Sequence, residues 1–343
     1  MTNWKLLMEL SDTPGIPGDE GKIREIVLRE LKDLADEVKT DPLGNLIIHI
    51  KGEGPKLLLD AHMDEVGFMV SKIDEDGFIR VVPVGGIPPE HAYGERVVIW
   101  GKEPVYGVFG SVPPHVRKGE DKKLPDLDEM FVDTGLEPET VKKLVKIGDS
   151  VTFDTKAVEQ KEAILGKAFD DRVGVFVMIE AARRATKRSV DLYLVAAVEE
   201  EAGLRGARTA AFGIKPDLAV ALEGTVALDT PGVPFHRKLA EVGKGPEIRL
   251  SDRAFVASRA WVNFISSLAE KRGIPYQLIV KRVGATDAAA IQTSREGVHA
   301  TAISVPVRYI HSANSIVRKS DVEATISLIT AIIEEGGLFD LNL

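Results

Sequence analysis

Asp191-Leu192-Tyr193-Leu194-Val195-Ala196-Ala197-Val198-Glu199-Glu200-Glu201 is the stretch on which the fold turns. Its first eight residues form an apolar run too continuous for a half-exposed strand, as a sheet covered on both faces requires. Three carboxylates follow at once. Adjacent acids at the end of a buried strand repel one another at a cost unless a cation compensates them, although a solvated acidic turn would carry the same letters.

Outward from this stretch, Lys56–Ala61 is a second buried run and ends on His62-Met63-Asp64. Asp217–Leu222, Gln277–Val280 and His299–Val305 are further strands. Helical periods alternate with them: Arg172–Lys187, Leu204–Phe212 stopped by Gly213, Ala254–Lys271 ended by Gly273, a short helix over Asp287–Ser294, and Val322–Glu335. Ser320 and Glu323 are spaced as a capping box for the last of these. Near the start, Ile23, Val27, Leu31 and Leu34 form one stripe, so Gly21–Leu34 reads as the first helix; a turn at Asp41–Asn45 then leads into the strand Leu46–Ile50. The alternation predicts an α/β fold with a central mixed, largely parallel sheet flanked by helices.

The span from Gly67 to about Val158 reads differently. Short alternating segments such as Gly77–Val82, punctuated by Gly and Pro, predict a small inserted β domain. The expected division is residues 1–66 plus 160–343 for the α/β domain and 67–159 for the insertion, and 343 residues suit two domains. Lys118–Lys123 with Asp126–Glu129 reads as a mobile loop.

Composition narrows the chemistry. With 44% apolar and 28% charged residues the chain is of the soluble globular kind. It has no cysteine, so any metal must be held by histidine and carboxylate, which suits zinc, cobalt or manganese. A net charge of −9 argues against a nucleic-acid partner. No apolar run approaches the roughly 20 residues of a membrane helix and no secretory leader is legible, so a cytoplasmic address is expected.

In open α/β sheets the reactive side chains collect at the carboxyl ends of strands. Here those ends carry His62 and Asp64, Glu199-Glu200-Glu201, Glu223, and His311 just past His299–Val305; Asp170-Asp171 stands before the helix at Arg172. This is a metal-site inventory. A lone histidine at a strand end is more often a hydrogen-bonded core residue, and Asp170-Asp171 alone reads equally as a helix cap. His62-x-Asp64 adds weight, because a ligating imidazole usually gives its other N–H to a carboxylate that fixes its tautomer, a role open to Asp64. No phosphate loop and no nucleophile elbow is present.

Four ordered phrases resemble the tetrahedral aminopeptidases, a family of two-metal peptidases: Ala61–Gly67 (AHMDEVG), Lys167–Arg172 (KAFDDR), Val198–Ala207 (VEEEAGLRGA) and Pro306–Ser312 (PVRYIHS). Val112–His115 in the insertion extends the similarity over nearly the whole chain. The resemblance implies a zinc-exopeptidase-like core with a barrel-like insertion used for dimerisation. It implies that Asp170 bridges two divalent ions, zinc or cobalt with manganese as a third option. His62 and Glu223 complete one site, and Glu201 and His311 the other. Glu200 becomes the general base, Asp64 orients His62, and the Asp170–Asp171 peptide is cis. It further implies short peptide substrates and a dodecamer built from dimers. Glu223 stands where the family often has Asp, and Ala313-Asn314-Ser315 departs from the usual wording. A two-metal deacylase or carboxypeptidase is the alternative hydrolase, and a non-catalytic, metal-stapled assembly the alternative outside catalysis.

Overall fold

The computed structural model describes residues 2–113, 116 and 125–343. Four parallel strands make its centre, in the order Asp191–Ala197, Lys56–His62, Leu218–Val226 and His299–Arg308. Leu46–Ile50 and Glu37–Thr40 extend one side in antiparallel fashion; Ser315–Arg318, Ala163–Gly166 and Val158–Glu159 extend the other. Glu247–Ser251 and Gln277–Val280 are attached beside His299–Arg308, completing eleven strands.

Alternation along the central strands sorts their side chains into two layers. Leu57, Leu59 and Ala61 join the larger core with the helices Trp4–Asp12, Gly21–Leu31, Phe169–Arg184, Arg259–Arg272 and Lys319–Glu335. Leu58, Ala219 and Ala300 join a smaller core under Arg205–Ile214 and Asp287–Gln292. His62 is opposite Ala197, and Asp60 is opposite Ala221. His62 and Glu223 therefore stand two residues further along neighbouring strands, on one face of the sheet.

The insertion is a closed antiparallel barrel of six strands, in the order Gly67–Ile73, Ile79–Val84, Phe131–Asp133, Pro104–Gly110, Arg96–Trp100 and Ser150–Phe153. Phe68, Phe109 and Phe153 pack in its core with rings 4.6 and 5.9 Å apart. Closure leaves no open edge. Buried charge braces the place where the chain enters it: Lys167 Nζ lies 2.6 and 2.5 Å from the two Glu65 oxygens. Buried Arg172 donates to the carbonyls of Leu10, Thr13 and Gly15 and so ties the first helix to this joint.

Several local readings are corrected. A helix at Trp4–Asp12 precedes the one at Gly21–Leu31. Arg205–Ile214 runs through Gly213 and ends at Lys215, whose φ is 57°. Leu218–Val226 and His299–Arg308 run on beyond Leu222 and Val305, so Glu223 lies inside its strand. The last helix starts at Lys319, which puts Ser320 inside it; Glu323 pairs with Arg184 at 2.7 Å and no capping box forms. Lys118–Lys123, Pro114 and His115 lie outside the described residues, while Asp126 caps a short turn at Leu127–Glu129. Among the described residues no helix is long and apolar enough to cross a membrane.

Gly224 is where sheet and site touch. A Cβ there would overlap the Phe169 carbonyl and stand 3.0 Å from the Asp170 Cα. Nothing lies within 4 Å of a Cβ on Gly213, which sits within a helix. Gly224→Ala should therefore lose about 1–3 kcal/mol of stability through overpacking, and Gly213→Ala should gain up to about 1 kcal/mol of helix propensity. Denaturant midpoints of the two variants should move in opposite directions.

Candidate metal centre

His62, Asp170, Glu200, Glu201, Glu223 and His311 all reach one place, beside a cavity of about 350 Å³ whose wall includes all of them except His62. The Asp170 carboxylate lies between the two imidazoles. Its Oδ1 is 3.4 Å from His62 Nε2, and its Oδ2 is 3.3 Å from His311 Nε2. Glu223 approaches His62 at 3.8 Å, and Glu201 approaches His311 at 3.2 Å. Two groups result, His62–Asp170–Glu223 and Asp170–Glu201–His311, each with one potential ligand atom per residue and all of these within 4.8 Å of one another. Asp170 belongs to both.

Backbone carbonyls fix the ring tautomers. His62 Nδ1 is 3.0 Å from the Asp64 carbonyl, and His311 Nδ1 is 2.7 Å from the Gly86 carbonyl. A carbonyl only accepts, so each Nδ1 carries a proton and each Nε2 faces the carboxylates. The Asp64 side chain is the more distant partner of His62, at 3.4 Å. Its carboxylate is instead occupied by the backbone N–H groups of Glu200 and Glu201, at 3.1 and 2.9 Å.

Asp171 divides from its neighbour in function. It accepts the Gly174 N–H at 3.0 Å, capping the helix, and the His62 N–H at 3.2 Å, while Asp170 is left to face the imidazoles. The peptide between the two is cis.

The electrostatics are those of uncompensated negative charge. Burial pushes the Glu200 and Glu223 carboxyls well above their ordinary range. Behind them burial raises Asp60 to about 7 and raises Asp287 well above the ordinary carboxylate range. Burial opposes protonation of His62 and His311, yet the surrounding carboxylates outweigh it and raise both, His311 to about 11. Asp170 is raised by burial and lowered more by the two imidazoles, so it stays ionised. Glu223 Oε1 is buried without a hydrogen-bond partner. Two imidazole nitrogens and three carboxylates, one of them with an orphaned buried oxygen, are a donor set that fits divalent cations.

Residues 44–328 match the family described as M42 glutamyl aminopeptidase. The chain belongs to that family. The lysyl aminopeptidase of Pyrococcus furiosus is 38% identical over 98% of both chains. Aminopeptidase APDkam598 from the archaeon Desulfurococcus kamchatkensis superposes with a TM-score of 0.93 at 40% identity, covering 96% of this chain and 94% of its own. The TET1 peptidase of Pyrococcus horikoshii, which can assemble into a tetrahedron or a large octahedral shell, gives 0.87 at 33% identity over 97% and 99%. This M42 chain is thus an aminopeptidase with a TET peptidase fold, and the cavity beside Asp170 is its candidate active site.

Further residues reach this M42 site that carried no legible signal. Arg249 lines the cavity from within the attached strand Glu247–Ser251 and Lys281 from just past the end of Gln277–Val280, where each looks like an ordinary charged residue. Both donate to the Thr225 hydroxyl and pair with buried Glu247. Asn45 accepts the Val198 N–H at 3.0 Å, from a turn that reads only as a loop.

A histidine whose folded pKa is raised stabilises the fold below its unfolded value of about 6.5 and loses that contribution as pH climbs toward the folded value. The raised acids act in the same sense, since they too must give up protons in the folded state as pH rises. Chelated protein should therefore melt at a lower temperature at pH 9.5 than at pH 6, and an added divalent cation should shrink the difference. Thermal melts at the two pH values, with chelator and with zinc, read this directly.

Proposed function

We propose that this aminopeptidase removes N-terminal residues from short peptides with two divalent cations per subunit, zinc or cobalt, with manganese as a further option. His62 and Glu223 would hold one ion and Glu201 and His311 the other, with Asp170 in reach of both groups. The observation that carries this reading is the Asp170 carboxylate, with one oxygen toward each imidazole. The cations, when bound, supply Lewis acidity for the scissile carbonyl and a more acidic water.

Glu200 is the general base. It is largely but not fully buried beside the paired ligands, and that burial raises its proton affinity, which suits a carboxylate that accepts a proton near neutral pH. It takes the proton of the attacking water and passes it to the leaving amine. Asp64 holds the backbone of Glu200 and Glu201, and through its carbonyl the His62 ring, so one residue positions the base and a ligand of each ion. Glu223, one methylene longer than the frequent Asp, reaches His62 from the adjacent strand and stands where a free α-amine could be read.

We extend the assembly of the TET relatives to this chain: a dodecamer built from dimers, with the 67–159 barrel as the dimerisation unit and 1–66 plus 160–343 as the catalytic domain. A cytoplasmic setting with short peptides suits such an enzyme.

Mass spectrometry of a peptide mixture, half with free and half with acetylated N-termini, tests the reading. Stepwise loss of N-terminal residues from the free peptides alone, abolished by chelation, is expected. Loss of acetyl groups or C-terminal residues would shift the assignment to deacylase or carboxypeptidase, and no turnover with any metal would favour a metal-stapled assembly. Glu200→Gln should retain its metal content and melting temperature while kcat falls by about 10²–10⁴-fold. Retention of a tenth of the activity would remove Glu200 from the base role.

A further inference from the structure

The segment that carries the base and a ligand has its backbone held from outside. After Ala197 the chain leaves the sheet, and four successive N–H groups donate to side chains from distant parts of the sequence. Val198 donates to Asn45 at 3.0 Å, Glu199 to Glu20 Oε1 at 3.2 Å, and Glu200 and Glu201 to the two Asp64 oxygens at 3.1 and 2.9 Å. On the other side, the Glu200 carbonyl accepts from Gly203 and Leu204 at 2.8 and 2.9 Å. Within this run Glu199 has φ 55°, a left-handed conformation that a side-chain-bearing residue keeps only where its surroundings impose it.

Glu20 supplies the bond at that strained residue. It occupies the N-cap position of the helix Gly21–Leu31, yet its side chain caps nothing in that helix. It is 5% exposed and turns the other way, accepting from Gly18 at 2.8 Å and from Glu199. Asn45 and Asp64 each grip other groups as well, including Gly206 and the site of His62. The hydrogen bond from Glu199 is the one by which Glu20 bears on the segment.

We propose that Glu20 is a positioning residue for the peptidase reaction: by accepting the Glu199 N–H it sets the turn that aims the Glu200 carboxylate, with Glu201 beside it. This rests on the reading of Glu200 as the base. Both N–H groups that Glu20 meets reach the same oxygen, Oε1, so an uncharged acceptor of equal length can make both bonds.

Three substitutions separate this from a role in the helix or the Gly18 loop. Glu20→Gln keeps an acceptor at full length. Glu20→Asp keeps the charge and gives the helix a better N-cap, but falls one methylene short of Glu199. Glu20→Ala removes the group. Displacement of a catalytic group by about 1 Å costs up to about a hundredfold, so Ala and Asp should lower kcat by about 10- to 100-fold with KM within about twofold, and Gln should stay within about threefold of the unsubstituted enzyme. Hydrogen–deuterium exchange of a peptide spanning residues 198–203, followed in the chelated protein, should speed up in Ala and Asp and not in Gln. The proposal is overturned if Ala turns over as fast as the unsubstituted enzyme, if Asp restores the rate, if Gln is as slow as Ala, or if the loss lies in KM. If the unsubstituted protein releases no N-terminal residue, the assignment of the reaction fails instead, and exchange still reads the clamp on its own.

Discussion

The structure depends on crowding carboxylates around two imidazoles in a largely buried site. Asp60, Asp64, Asp170, Asp171, Glu200, Glu201, Glu223 and Asp287 gather near His62 and His311, and most are buried. Like charges at such distances in a low dielectric are unfavourable. Part of the charge is absorbed by backbone donors: Asp64 takes two N–H groups, and Asp171 takes two more. Asp170, Glu201 and Glu223 have no such relief and face the imidazoles. The division between acids bound to backbone and acids left open is what makes a cation site of an acidic cluster.

Rigid supports carry each member of the set. His62 and Glu223 stand on adjacent parallel strands, so their separation follows from sheet geometry. Asp170 comes from the turn that opens the helix Phe169–Arg184, pressed against Gly224 of the same sheet. His311 has φ 56°, and its ring is tied to Gly86, in the loop beyond a barrel strand. In return, His91 Nδ1 meets the His311 carbonyl at 3.0 Å. The insertion therefore helps to build the site, because it supplies the acceptor that sets one of the two tautomers.

Much of this was legible. The runs at Lys56–Ala61 and Asp191–Val198 became central parallel strands, since a continuous apolar run has few other places to go. The acids and histidines at their ends converge, as strand ends in such sheets do. Some local readings failed. Gly213 did not stop its helix, which runs on to Ile214, and Ser320 did not cap one because that helix already begins at Lys319. Asp64, whose side chain was expected to steady His62, spends its carboxylate on Glu200 and Glu201, while its carbonyl meets the ring.

By itself the sequence determined the α/β alternation, the interruption by a β insertion, and which histidines and acids were available for a cation, because hydrophobic period and residue chemistry are local properties of the chain. Only the tertiary structure decided which of two adjacent aspartates faces the imidazoles, that Gly86 fixes His311, that Arg249 and Lys281 reach the cavity, and that Glu20 holds the turn before Glu200. Those are contacts between residues far apart in the chain, some separated by more than a hundred positions, and their geometry exists only once the sheet and barrel have closed around them.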